Sequence, residues 1–329
     1  MTPIAPHITA FLRERLPLQR GASEHTCDSY AYAFQLLFQF ASERHRITPS
    51  ALNLEQIDAP LVMDFLQHLE TDRHNSPRTR NARLVAIKSF MHFIEHRAPA
   101  FLEQSRRILA IPAKRTDSRL ISYLSVEEMQ AVLNAPDIQR RDGIRDRAML
   151  HLCFSAGLRV SELVNLPMNA IEWQPSPNVR IKGKGRRERL LPLWKQTCAD
   201  LRAWLAVRGP SSAQEFFINA HGQPMTRSGF EYILDKHVQT AAESCPTLKQ
   251  RQISPHSLRH SAAMVVLQAT GDIRKVSLWL GHADIQTTEV YLRADPTEKL
   301  DAMSAVVPPS LKRGRFRAPD KLIASLHGA

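Results

Sequence analysis

Apolar residues recur at three- and four-residue spacings through most of this 329-residue chain, which restricts it to a largely helical fold. Such spacing puts one apolar stripe on each helix, and the stripe has to be buried against a neighbouring element. The pattern is clearest within residues 25–43 and 80–96. Its members are Tyr30, Phe34, Leu37, Phe38 and Ala41 in the first segment and Leu84, Ile87, Phe90, Met91 and Ile94 in the second.

Residues 178–193 depart from this pattern and predict a β-hairpin. Val179 and Ile181 alternate with polar residues, a glycine-containing turn follows, and the alternation resumes at Leu191. A period of two residues is typical of strands. Residues 215–225 predict a third short strand, so the expected fold class is mainly α with a small β-sheet. The basic residues at the predicted hairpin tip are Lys182, Lys184, Arg186 and Arg187.

Three successive helices are predicted near the C-terminus from the residues at their ends. Ser254 suits the start of a helix that Gly271 ends, and Asp272 suits the start of a helix that Gly281 ends. Asp284 suits the start of a third. Side-chain oxygens at N-caps satisfy free backbone N–H groups, while glycine accepts the left-handed conformation at a helix end.

The charge of the chain favours a polyanionic partner. Forty-four Lys and Arg residues against 32 Asp and Glu give a net charge of +12 and a pI near 9.9. Nucleic acid is therefore the first partner to consider, although charge alone leaves open a merely basic protein.

The cysteines and the hydropathy pattern indicate the compartment. Cys27, Cys153, Cys198 and Cys245 lie far apart without a C-x-x-C pair, as expected of reduced intracellular thiols. The sequence contains neither an apolar leader nor an uninterrupted apolar stretch of about 18 residues, the length that crosses a bilayer. We therefore expect a cytoplasmic protein with no membrane partner.

The length predicts roughly two domains, at about 150 residues each. Prolines and alternating charges interrupt the apolar spacing over residues 101–121, which predicts a linker between a helical domain at 1–100 and a second domain at 122–300. Ser125 and Glu128 have capping-box spacing and would open the second domain. A tail at 301–329 follows.

Basic residues near a helix start and in the linker could hold DNA phosphates, or they could form an ordinary charged surface. They are Arg78, Arg80, Arg83, Lys114 and Arg115.

Six residues of the second domain could carry out phosphoryl transfer without a metal. Two arginines can brace a phosphate, histidines and a lysine can move protons, and a tyrosine can act as a nucleophile. Ser257 stands where the H-E-x-x-H zinc motif needs glutamate, and "GKGRRE" lacks the P-loop pattern, so neither metal nor ATP is implied. Each of these residues, taken by itself, also has an ordinary structural explanation. The six are Arg159, Lys184, His256, Arg259, His282 and Tyr291.

The ordered set of motifs resembles the tyrosine recombinases, also called the phage-integrase family. The matching stretches are "AGLRVSELVNL", "IKGKGRRERLLPL", "HSLRHSAA" and "WLGHADIQTTEVYLRA", which lie within residues 120–295. The N-terminal half is similar, more loosely, to the helical core-binding domain of this family. One departure is Ala262, where many relatives carry a bulkier apolar residue.

The resemblance implies a role for each matched residue. Arg159 and Arg259 would brace the scissile phosphate, and His282 would hydrogen-bond it. Lys184 would protonate the leaving 5′ oxygen, with Lys182 as its rival, and Lys182 or Arg186 could instead contact the phosphate. The remaining implied roles are an acid/base function for His256, nucleophilic attack by Tyr291 and a supporting contact by Glu162.

The resemblance also implies a two-domain C-shaped clamp around double-stranded DNA. A tetramer would act on two inverted-repeat sites through a 3′-phosphotyrosyl intermediate and a Holliday junction, with accessory proteins in some systems and no cofactor. The tail at 301–329 could contact a neighbouring protomer. A mobile-element function is favoured over chromosome-dimer resolution. Two rival functions stay open, a type IB topoisomerase-like enzyme and a catalytically idle DNA-bending accessory protein.

Overall fold

The computed structural model describes residues 1–116, 121–183, 188–282 and 284–295. The chain forms two compact units, which are divided between residues 118 and 119. Lys184, Arg186, Arg187 and the tail at 301–329, which the sequence analysis singled out, lie outside the described residues.

The N-terminal unit is built from helices around an aromatic core. Ser23, Asp58 and Ser76 each cap a helix by accepting a backbone N–H bond, as the N-cap rule requires. Phe11, at the centre of the core, meets the ring of Phe34 edge-on at 6.0 Å. The helices are α1 (Ile4–Ala10, continued by a π-helix over Phe11–Gln19), α2 (Glu24–His45), α3 (Ala59–Thr71), α4 (Pro77–Arg97) and α5 (Leu102–Leu109).

The predicted linker at 101–121 differs from the structure over its first part. Residues 102–109 form α5, because Ile108 is fully buried in the core of the N-terminal unit, and Ile111 is buried there too. The following residues run back along α4. The Asn81 side-chain amide donates to Lys114 O (2.8 Å) and accepts from Lys114 N (3.0 Å). The N-terminal unit therefore includes residues up to at least 114.

The C-terminal unit is also mainly helical. The predicted capping box at its start is confirmed, since Ser125 and Glu128 accept each other's backbone N–H groups. Its helices are α6 (Val126–Asn134), α7 (Arg141–Ser155), α8 (Val160–Val164), α9 (Lys195–Arg208), α10 (Arg227–Ser244), α11 (Pro255–Thr270), α12 (Ile273–Leu280) and α13 (Glu289–Ala294).

An antiparallel three-stranded sheet, in the order β1-β2-β3, confirms the predicted hairpin. The strands are β1 (Ile171–Glu172), β2 (Asn178–Lys182) and β3 (Glu188–Pro192). The register pairs Val179 with Leu191 and Ile181 with Arg189, so these side chains share one face. The third strand was predicted in the wrong place. Residues 215–225 make only isolated bridges, Pro167 to Glu215 and Ile218 to Pro224.

The cap residues near the C-terminus act as predicted for two of the three helices. Ser254 accepts from Ser257 N at the start of α11, and Gly271 ends it with φ of 59°. Asp272 opens α12, which Gly281 ends with φ of 64°. The third prediction is wrong in its extent. Asp284 caps a 3₁₀ turn at Ile285–Thr287, and α13 starts separately at Glu289.

A buried charged network joins α7 to α10. Asp146 is 1% exposed and accepts from Arg145 Nε (3.0 Å), Arg145 Nη2 (2.7 Å) and His237 Nε2 (2.9 Å). Buried carboxylates are stable only when such partners satisfy them, so this network fixes the packing of the two helices. Among the described residues, no helix combines the length and the apolar character needed to cross a bilayer.

Candidate active site

Helix α11 presents Arg259 to two carbonyl groups from other segments. The Arg259 side chain is buried, its Nη1 donates to Gly157 O, and its Nη2 donates to Leu280 O at 2.7 Å. Gly157 adopts φ of +57°, and a Cβ there would lie 2.7 Å from Leu280 Cδ2. Only glycine fits both the conformation and the space, so this residue lets the chain turn close to Arg259.

Arg159 donates two hydrogen bonds to the Glu162 carboxylate at the start of α8. Glu162 Oε2 accepts from Arg159 N at 2.9 Å, and Glu162 Oε1 accepts from Arg159 Nη1 at 2.9 Å. The Arg159 side chain remains 32% exposed, whereas the Glu162 side chain is only 5% exposed. The Arg159 guanidinium is therefore accessible to a ligand, while the buried Glu162 carboxylate contacts it from the interior.

Arg189 on β3 is a site residue that the sequence analysis missed. Its Nη1 donates to Glu162 Oε1 (3.1 Å) and its Nη2 donates to Glu162 Oε2 (2.8 Å), which is the bidentate arrangement. A signal for it exists in the sequence. Arg189 is two residues from Leu191, which points inwards, so strand alternation places this arginine on the buried face, where a charge needs a partner.

The three arginines and one carboxylate leave an excess of positive charge at the site. Arg259 Nη1 lies 4.0 Å from Glu162 Oε2. Burial raises the pKa of Glu162, but hydrogen bonds and charge from Arg189 and Arg159 outweigh this and hold its pKa below the usual value. Burial, and then the charge of Arg159, lower the pKa of Arg259 to about 10, which still leaves it charged at neutral pH. The arrangement suits an anion carrying more than one charge.

Tyr291 lies against this cluster on α13, only 2% exposed. Its Oη is 3.0 Å from Nδ1 of His260, another residue to which the sequence analysis gave no catalytic role. Burial raises the pKa of Tyr291 to about 12, against the lowering effect of the Arg259 and Arg159 charges. Burial also lowers the pKa of His260 to about 4. The imidazole is therefore neutral at pH 7 and can accept the phenol proton at Nδ1 when its own proton is on Nε2.

The two predicted catalytic histidines lie in the field of the same arginines. Burial, followed by the charges of Arg259 and Arg159, lowers the pKa of His282 to about 4. Burial and then Arg259 also lower the pKa of His256. His282 Nδ1 is 2.8 Å from Thr288 Oγ1, a contact that fixes the orientation of the ring. Both imidazoles are neutral at pH 7 and can donate one hydrogen bond each.

Among the hairpin residues, Lys182 is the one predicted DNA contact that the structure describes. It ends β2, and its Nζ lies 3.8 Å from Glu188 Oε1 on β3. Its side chain is 78% exposed, so the amine remains open to solvent.

The basic residues predicted to hold DNA in the N-terminal unit have different environments. Arg78 and Arg115 are exposed, and Lys114 Nζ pairs with Glu70 at 2.8 Å. Arg83 donates to Ser29 O at 3.2 Å and remains partly exposed.

The prediction for Arg80 does not fit the structure. Arg80 is buried, and its Nη1 donates to Asn81 Oδ1 and to Pro112 O, both at 3.1 Å. Its position on the inward side of α4 commits the guanidinium to the packing of residues 110–114. We therefore remove Arg80 from the DNA-binding candidates.

Comparison with protein families decides the classification. The model of the phage integrase family matches residues 122–298, more than half of the chain. The chain belongs to the phage integrase family. The model of the phage integrase N-terminal SAM-like domain matches residues 8–98. The family predicted from the motifs is thus confirmed, as is a mainly helical fold with a small sheet.

Curated relatives of this phage integrase family member cover most of its length. The protein y4rC of Sinorhizobium fredii, named as an integrase/recombinase, is 40% identical over 98% of both chains. Tyrosine recombinase XerC of Myxococcus xanthus is 33% identical over 88% of this chain and 94% of its own. Tyrosine recombinase XerD of Halalkalibacterium halodurans is 31% identical over 86% of this chain and 92% of its own.

Solved structures of recombinases share the fold. XerH recombinase bound to its difH substrate has 22% identity and a TM-score of 0.67, over 87% of this chain and 81% of that one. The Tn1549 transposon integrase in complex with transposon right end DNA has 14% identity and a TM-score of 0.66, over 89% and 97%. A lambda integrase tetramer bound to a Holliday junction has 12% identity and a TM-score of 0.60, over 88% and 77%.

Proposed function

We propose that this chain is a site-specific DNA recombinase that cuts and rejoins strands through a 3′-phosphotyrosyl intermediate, without metal or ATP. The observation that carries the proposal is the contact of Tyr291 Oη with His260 Nδ1 at 3.0 Å, in a site where Arg159 and Arg259 act electrostatically on the phenol. A nucleophile, a neutral base and fixed positive charge are what phosphoryl transfer to tyrosine requires.

The proposed reaction starts with attack of Tyr291 Oη on the phosphorus. The phenol proton passes to an imidazole, and His260 Nδ1 is 3.0 Å from that oxygen. The resemblance assigned this acid/base role to His256, whose ring centroid lies 6.4 Å from that of His260. We propose that His260 takes the proton and that His256 donates a hydrogen bond to the phosphate.

The other residues act on the phosphate and the leaving group. Arg159 and Arg259 stabilise the charge of the pentacoordinate phosphorus, and His282 hydrogen-bonds a phosphate oxygen. Lys184 protonates the departing 5′ oxygen, with Lys182 as the alternative, and Arg186 contacts phosphate. A 5′ hydroxyl of a second strand then attacks the phosphotyrosine, Tyr291 recovers its proton, and no cofactor is consumed.

The proposed substrate is double-stranded DNA with inverted-repeat sites. We propose that four protomers act on two such sites through a Holliday junction, in the cytoplasm, with the tail at 301–329 contacting the next protomer and accessory proteins in some settings. The lambda integrase tetramer bound to a Holliday junction supports this assembly by analogy. The names of the relatives include both an integrase/recombinase and XerC, and we favour a mobile-element function.

We further propose that both units bind DNA through basic side chains, and that the C-terminal unit also supplies the chemistry. The proposed DNA contacts are Arg78, Arg83, Lys114 and Arg115 in the N-terminal unit and Lys182, Arg186 and Arg187 in the C-terminal unit. Phosphate contacts of this kind make affinity fall steeply with salt. The C-shaped clamp stays a prediction from the family resemblance.

The test is to lyse producing cells under denaturing conditions, recover DNA covalently attached to the protein, and sequence the attached ends. The wild type should carry DNA through 3′ ends at a few inverted repeats, and Tyr291→Phe should carry none. Tyr232→Phe is the matched control, because Tyr232 is an exposed tyrosine of the same unit and should retain the adduct.

Other outcomes would support the rival functions. Tyr291-dependent attachment at scattered positions would point to a topoisomerase-like enzyme. DNA binding without any adduct in the wild type would point to an idle DNA-bending protein and would refute the proposed function.

A further inference from the structure

We propose that Arg189 is a positioning residue for strand cleavage, which acts through Glu162 on the two arginines that brace the phosphate. This inference rests on the proposed function. Arg189 does not need to touch DNA for the role, because its guanidinium is already engaged with the carboxylate that holds Arg159.

The first step of the argument is the sharing of one carboxylate. Each oxygen of Glu162 accepts one bond from Arg189 and one from Arg159, at distances of 2.8 to 3.1 Å. The side chains of Arg189 and Glu162 are 9% and 5% exposed. A bidentate pair fixes both distance and plane, so Arg189 sets the orientation that Glu162 presents to Arg159.

The second step is the close approach of a backbone segment that leads to His282. A Cβ built on Gly281 would lie 3.0 Å from Arg189 Cδ and 3.1 Å from Arg189 Nη1. The stem of Arg189 therefore packs directly against the chain before His282. The Arg189 side chain on β3 therefore lies next to both the start of α8 and the end of α12. This position lets it influence several phosphate-binding groups together.

The third step concerns charge. Glu162 is ionised beside Arg189, whose hydrogen bonds and charge are the largest effects that offset burial and hold the pKa of Glu162 below its usual value; Arg159 adds a smaller lowering effect. Without Arg189, the buried carboxylate would depend on Arg159 at 2.9 Å and Arg259 at 4.0 Å to offset its burial, and would draw these two arginines away from a phosphate. Arg189 neutralises Glu162 and leaves the charges of Arg159 and Arg259 for the reaction. The expected defect is therefore in the rate of cleavage rather than in DNA affinity.

The experiment measures single-turnover formation of the Tyr291 adduct on a nicked duplex that carries the site recovered by adduct sequencing, and DNA affinity separately. Arg189→Gln should slow cleavage about 10- to 100-fold, the usual effect of losing a residue that orients a reacting group, with DNA affinity unchanged. The cleavage rate of Arg189→Lys should fall between those of the wild type and Arg189→Gln, because lysine keeps the positive charge but lacks the two parallel N–H donors of a guanidinium. Arg180→Gln is the matched control, an arginine on β2 with an exposed pair to Glu172.

Two comparisons separate this role from a merely structural one. In a Glu162→Gln background, Arg189→Gln should cause no further loss of rate, and this double variant also avoids leaving one buried charge unpaired. If the two substitutions instead multiplied their separate losses of rate, Arg189 would act independently of Glu162, and this result would overturn the inference.

A substrate with sulfur at the bridging 5′ position needs no protonation of its leaving group, so cleavage of this substrate by Arg189→Gln should remain slow. Recovery would assign the defect to the leaving group and would also overturn the inference.

The failure of the inference and of the proposed function are distinguishable. A wild type that forms no adduct refutes both. An active wild type with an equally active Arg189→Gln variant refutes the inference alone.

Discussion

Gly157→Ala should destabilise the C-terminal unit and impair the site at the same time. Gly157 has φ of +57°, and an added Cβ would meet Leu280 Cδ2 at 2.7 Å. Its carbonyl also accepts the Arg259 Nη1 bond. The substitution therefore combines backbone strain, overpacking and movement of a group that holds a phosphate-bracing arginine.

The magnitude follows from two contributions. A left-handed conformation costs an alanine about 1–2 kcal/mol, and forcing a methyl group into a packed core costs about 1–3 kcal/mol. Gly157→Ala should therefore lose roughly 2–5 kcal/mol of unfolding free energy. Gly271→Ala is the matched control, because Gly271 has nearly the same φ, +59°, with nothing within 4 Å of its Cβ position. It should lose about 1–2 kcal/mol.

Tryptophan fluorescence in a urea titration is the appropriate assay. All four tryptophans, Trp173, Trp194, Trp204 and Trp279, belong to the C-terminal unit, so the signal reports unfolding of that unit. Cleavage assays on the same proteins should show a slower rate for Gly157→Ala and an unchanged rate for Gly271→Ala. Equal stability losses for the two variants would refute the packing argument, and a normal cleavage rate in Gly157→Ala would refute the role of its carbonyl.

Three further outcomes are expected. Burial lowers the pKa of His260 and of His282 from 6.5 to about 4, so the unfolded chain binds more protons between these pH values. The stability that these two neutral histidines contribute should be complete above pH 6.5 and fall on acidification towards pH 4, and thermal melts at pH 7 and 5 should show a smaller loss for His260→Gln. Replacing His260 by Gln should also slow adduct formation about 100-fold or more, as the loss of a general base does, with unchanged DNA binding in a gel-shift assay. Asp146→Asn should lose about 3–5 kcal/mol, because it leaves the charge of Arg145 buried and unpaired, whereas Asp142→Asn, at an exposed pair, should lose about 0–1 kcal/mol by urea titration.

Local signals in the sequence predict the elements of this fold well. The helix ends at Gly271 and Gly281 and the cap at Ser254 were predicted because each depends on one residue and its nearest neighbours. The hairpin was predicted from the alternation around Val179 and Leu191, whereas its register is known from the structure alone. The predicted strand at 215–225 failed because its apolar residues fill the core without pairing along a neighbouring strand.

Contacts between distant residues were the part that the sequence did not reveal. Arg189 meets Glu162 across 27 residues, and His260 meets Tyr291 across 31. Periodicity places each side chain on a face of its element, but it does not say which charged faces converge. Arg80 shows the same limit, since the basic cluster around it predicted an exposed phosphate ligand, while the helix turns it inwards.

The packing of α5 decides where the N-terminal unit can be cut from the rest of the chain. A fragment ending at residue 100, the boundary that apolar spacing indicates, would lack Ile108 and Ile111, opening the core that they fill. It would also leave the Arg80 guanidinium and the Asn81 amide without the backbone partners at Pro112 and Lys114. A fragment ending at residue 116 keeps all of these groups, and is the piece to express when the unit is to be studied alone.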